Sequence, residues 1–72
     1  MKTKEKVMKY KSKLGSIELM LHPNSMGTLD SCLFVGGKGA GFDTVAKKDV
    51  EAHLKKTFCS IEYYKVEEGS HA

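Results

Sequence analysis

The chain contains no arginine and no tryptophan, and all twelve of its basic residues are lysine. Arginine supplies the planar fork that grips guanine edges and phosphates bidentately, so its absence argues against sequence-specific reading of DNA. Phosphate attraction through lysine alone remains, and it is nonspecific. All-lysine usage also fits coding by an A+T-rich genome, such as many phages have, which bears on origin and not on mechanism. Two cysteines, Cys32 and Cys59, are too few for a disulfide framework. Both sit in apolar, strand-like contexts and read as reduced core thiols. No apolar run approaches the length of a membrane span, and Met1-Lys2-Thr3-Lys4-Glu5 opens no apolar signal segment, so we expect a cytoplasmic protein with no membrane contact.

Convergent reactive groups are equally scarce. His22, His53 and His71 are scattered, and Asp30, Asp43 and Asp49 form no pair with acid/base logic. We therefore expect no catalytic residue, no metal site, no cofactor and no enzyme. His53 falls at the border of an apolar helical stripe, as a boundary residue. Asp43 and Asp49 suit a helix cap and a first-turn acid.

With 72 residues there is room for one domain. A chain this short hides only about 60% of the surface its unfolded form exposes, so a homodimer is one route to further burial. The net charge of +3 is uneven: residues 1–38 hold seven lysines against three acids, and residues 39–72 hold five against six.

Residues 7–13 alternate Lys9, Lys11 and Lys13 with Met8, Tyr10 and Ser12, and residues 16–22 place Ile17, Leu19 and Leu21 on one side. A two-residue turn at Leu14-Gly15 would set Tyr10 opposite Leu19, Met8 opposite Leu21 and Lys11 opposite Glu18. The run from His22 to Thr28 reads as a loop. Residues 30–35 are apolar on both faces, as an interior strand is. Asp43 or Thr44 then caps a helix with the stripe Ala46, Val50, Leu54 and Phe58, and Lys55 and Lys56 close it as the helix dipole prefers. Residues 60–66 read as a last strand. The expected fold is a small single α+β domain over 7–66 in the order β-β-β-α-β. Its four-stranded, mostly antiparallel sheet carries one amphipathic helix on one face. A basic tail at 1–6 and a flexible tail at 67–72 flank it.

Two features could carry function. Gly36, Gly37, Lys38, Gly39, Gly41 and Thr44 have the ingredients of a phosphate or nucleotide site, since a glycine loop can aim several N–H groups at one anion. The spacing matches neither the Walker loop nor G-x-G-x-x-G, whose third glycine would fall on Phe42. The plainer reading is a connection that needs positive φ. The second feature combines Lys9, Lys11 and Lys13 with Tyr10, Tyr63 and Tyr64 as a surface for a protein partner. On the plain reading the lysines are the solvated side of a strand, and the tyrosines the rim of a small core. No aromatic stacking platform is interleaved on the face of the lysines, so nucleic-acid binding through the N-terminal lysines would be weak and nonspecific. The sequence thus favours a small interaction protein, an inhibitor or regulator, over a nucleotide binder and a weak nucleic-acid binder.

Overall fold

The computed structural model describes residues 6–66. The tails read at 1–6 and 67–72 lie outside the described residues, apart from Lys6. Five strands and one helix follow one another: β1 (Met8–Ser12), β2 (Ile17–Pro23), β3 (Leu29–Val35), β4 (Lys38–Val45), a 3-10 turn (Lys47–Asp49), α1 (Val50–Phe58) and β5 (Tyr63–Val66). They form one antiparallel sheet in the order β4-β3-β2-β1-β5. The expected four strands are therefore corrected to five.

The added strand is β4, which takes in the glycine run from Lys38 on. Val35 pairs with Lys38, so Gly36 and Gly37 are the two central residues of a tight hairpin turn, with φ of 62° and 84°. A turn whose twist matches the strands needs φ > 0 at both positions, which is what Gly-Gly supplies without steric cost. Lys38 then starts β4 instead of a loop. Leu33 pairs with Gly41 and Phe34 with Gly39, which leaves Ala40 as a bulge. Asp43 and Thr44 belong to this strand and cap nothing. The helix begins at Val50, and Ala46 before it is extended at φ −70° and ψ 147°. Its apolar stripe shortens to Val50, Leu54 and Phe58.

The β1–β2 register matches the sequence reading: Met8 faces Leu21, Tyr10 faces Leu19 and Lys11 faces Glu18. The connection is wider than two residues. Gly15, at φ 82°, donates its N–H to the Ser12 carbonyl at 2.8 Å, and the buried Ser12 hydroxyl accepts the Ile17 N–H at 3.1 Å. The loop thus spans residues 13–16 without changing the register.

Because strand side chains alternate, one sheet face collects Tyr10, Leu19, Leu21, Leu29 and Val45, and α1 lays Leu54 and Phe58 on it. Phe58 is fully buried and stacks on Tyr63 with ring centroids 4.5 Å apart, while Tyr10 meets Tyr63 edge-on at 6.2 Å. The tyrosines therefore serve as the wall between helix and sheet. Among the described residues, no helix is long and apolar enough to cross a membrane. Both cysteines are free, yet neither is a core thiol: Cys32 is half-buried on the face away from α1, and Cys59 is exposed just past the helix.

Candidate functional site

The helix covers one side of the sheet only. The register places two rows across the other side: Val66, Lys9, Met20, Cys32 and Phe42 form one, and Tyr64, Lys11, Glu18, Phe34 and Gly39 the next. Phe42 on one edge strand is 71% exposed and Tyr64 on the other is 45% exposed. Between them Met20, Cys32 and Phe34 are half-buried. The described sheet thus presents apolar surface from edge to edge, broken by a few charges. Lys9 Nζ lies 3.4 Å from Glu18 Oε2, and Asp30, facing His22 and Thr44 in a third row, accepts a hydrogen bond from Asn24 Nδ2 at 2.9 Å. Lys9 and Lys11 are offset by Glu18 and Asp30, so these four charges cancel.

Asn24 also builds the loop at one end of this face. Its Oδ1 accepts the N–H groups of Met26 and Thr28 at 2.9 and 3.1 Å, a side-chain mimic of a backbone turn. Gly27 at φ 83° completes it and leaves Met26 projecting into solvent.

Of the residues singled out in the sequence, Lys9, Lys11 and Tyr64 meet on the uncovered face. Tyr10 and Tyr63 turn the other way, into or beside the core. Burial raises the Tyr10 phenol above its ordinary pKa, with a further push from Tyr63. Lys13 sits in the hairpin loop, its Nζ 3.9 Å from Glu62 and its N–H bonded to the Glu62 carbonyl. The lysine face does carry aromatics after all, since Phe34 and Phe42 come to it from other strands. Phe42 was hidden because the glycines ahead of it read as a loop.

The six glycine-run residues do not converge. Gly36, Gly37 and Lys38 form the hairpin corner, and Gly39, Gly41 and Thr44 are strung along β4, with Gly41 and Thr44 on opposite faces. The nearest α-helix starts only at Val50.

A second region lies between β4 and α1. Ser31 is 3% exposed, and its hydroxyl is hydrogen-bonded to His53 Nε2 at 2.9 Å. Two adjoining clefts of about 190 and 300 Å³ flank this pair and share Asp43 and His53 in their walls. Ser31 sits within a strand and its hydroxyl already has a partner, which is how a buried hydroxyl is ordinarily satisfied. Among the described residues, no group of three or more His, Cys, Asp or Glu is placed to hold a metal ion.

No family model, no curated protein and no solved structure matches this chain.

Proposed function

We propose that the protein is a small non-enzymatic interaction protein, an inhibitor or regulator, that docks on a protein partner through its uncovered sheet face. The observation that supports this most is the exposure of Phe42 and Tyr64 at the two edges of one apolar face. Burying one such ring in a partner's pocket contributes about 1.5 to 3 kcal/mol, which is the scale of an interface anchor.

Charge favours a protein over a nucleic acid as occupant. A backbone of phosphates is held by uncompensated cations. On this face Glu18 and Asp30 offset Lys9 and Lys11, and Lys9 already has its ion pair. A face with a neutral centre and aromatic anchors suits a protein surface better.

The test is affinity capture from a lysate of the source cells, comparing the wild type with a Phe42→Ser, Tyr64→Ser variant whose melting temperature is checked first. A protein retained by the wild type and lost by the variant, and then reconstituted with purified components, is the expected result. Equal retention by both would sink the reading. So would retention that requires nucleic acid and collapses between low and moderate salt. Sedimentation of the wild type as a dimer and of the variant as a monomer would make a second copy the occupant instead.

A further inference from the structure

We propose that the free edge of β4, together with the groove between β4 and α1, binds an extended peptide segment as a sixth strand, with an apolar side chain at one position and a basic one four residues away. This site adjoins the uncovered sheet face and shares Phe42 with it, since Phe42 lies on β4 and in the wall of the groove.

Three independent features coincide there. First, β4 is the end strand of the described sheet, bonded to β3 on one side only. An end strand offers a row of unpaired N–H and C=O groups, and proteins usually blunt such an edge with proline, charge or a bulge. The Ala40 bulge does this for the first half of β4. From Gly41 to Val45 the pairing with β3 is regular and the sequence holds no proline. Asp43 is the one charge in that stretch, and its Oδ1 accepts the Thr44 N–H at 2.8 Å, so an added strand pairs there by taking over that N–H.

Second, the helix-side face of β4 is left bare. Gly41, Asp43 and Val45 point to that side, being paired with Leu33, Ser31 and Leu29, yet Gly41 and Asp43 are exposed. α1 packs over the middle strands and leaves a trough beside the edge. Gly41 supplies no side chain, which keeps the trough open above Leu33. An added strand would alternate its side chains between the two faces of the sheet, so every second one would drop into this trough.

Third, the trough divides into two compartments at matching spacing. The smaller cleft, beside Gly41, has Leu19, Leu33 and Phe42 in its walls with Ser31 and Thr57, and it borders the larger one at the shared Asp43 and His53. It suits an apolar side chain. The larger, beside Val45, has Asp43 and Asp49 against Lys56. Two carboxylates and one ammonium leave it net negative in a chain whose formal charge is +3, so it suits a lysine or arginine. Gly41 and Val45 are four residues apart on the same side, and the incoming side chains inherit that separation. Backbone pairing provides affinity, and the two compartments provide selectivity.

The experiment uses the full chain and three fluorescein-labelled threonine peptides. One carries leucine and arginine four residues apart, the second has glutamate in place of the arginine, and the third has serine in place of the leucine. The first should bind saturably by anisotropy, with each of the others weakened at least about tenfold, a difference of about 1.4 kcal/mol. Amide shifts on titration should fall on residues 41–45 and on α1. Gly41→Val should abolish binding while the protein stays folded, because a Cβ at Gly41 meets only Leu33 side-chain atoms at 3.7 and 3.8 Å. Asp49→Lys, on the exposed 3-10 turn, should reverse the preference for arginine over glutamate. The proposal is overturned by no saturation up to about 1 mM, by equal binding of the three peptides, or by shifts confined to residues such as Met20 and Tyr64. In that last case the sheet-face reading would survive while this one failed. Phe42→Ser alters both sites, so loss of partner capture by a single Tyr64→Ser variant is what tests only the former.

Discussion

The Ser31 hydroxyl and the His53 imidazole are joined by a hydrogen bond of 2.9 Å across the gap between β3 and α1, which ties the helix to the sheet at its least covered edge. The bond matters because Ser31 is buried on an otherwise apolar strand side, between Leu29 and Leu33. His53→Ala removes the partner and leaves a buried hydroxyl unsatisfied, at a cost of about 1 to 3 kcal/mol. Ser31→Ala should cost less, because the half-buried His53 can turn to water. Urea denaturation of the two single variants and the double variant checks this: the double should be less destabilised than the sum of the singles.

Phe58 carries more of the core than any other single side chain, being fully buried and stacked on Tyr63. Phe58→Ala should cost about 3 to 5 kcal/mol. A chain of this length is expected to hold only about 4 to 10 kcal/mol in all. The variant should therefore lose about a third or more of the total, read as a markedly lower melting temperature with tyrosine near-ultraviolet dichroism as the probe.

Cys59 has φ 54° and ψ −120°, and it is the one non-glycine residue with positive φ among the described residues. Its N–H bonds to the Lys55 carbonyl at 2.8 Å and terminates α1. A side chain held there costs about 1 to 3 kcal/mol of strain, which glycine would largely relieve. Cys59→Gly should raise the melting temperature by about 4 to 8 °C per kcal/mol gained. An unchanged or lower value, by calorimetry, would contradict the assignment of strain.

Tyr10 gives a pH dependence with a definite sign. Burial, and then Tyr63, hold its phenol above the ordinary value of 10.0 in the folded chain. The folded state therefore keeps the proton that the unfolded state releases. The stabilisation is fully present below pH 10, and it declines as pH rises from there through the raised folded value. The comparison is with Tyr10→Phe. Its alkaline limb should be flatter in denaturation curves taken across that window.

The parts of the fold that could be read from sequence are those where alternation and turn chemistry agree. Met8, Tyr10 and Lys11 found their partners because one register satisfied apolar and charged pairs together. β4 escaped because Gly39, Ala40 and Gly41 have low strand propensity and the bulge breaks the alternation. The helix start was misplaced because Ala46 lies four residues before Val50 and so mimics one more turn of the stripe. Phe42 was lost with β4, and with it the continuity of the uncovered face. The Ser31–His53 contact joins residues twenty-two apart on different elements, and no spacing encodes such a meeting. Its only trace in the sequence is a hydroxyl on an apolar strand side and a histidine at the border of an apolar helix side.

The pairing of β5 with β1 sets when the molecule can close. Hairpins from β1 to β4 join neighbours in the chain, but Lys9 and Tyr10 must wait for Val66 and Lys65. On a translating ribosome β1 would stand with one flank bare until the chain through Val66 has emerged. A product released short of Tyr63 would keep that flank open permanently and would have nothing to stack on Phe58, which makes such fragments natural substrates for proteolysis or aggregation.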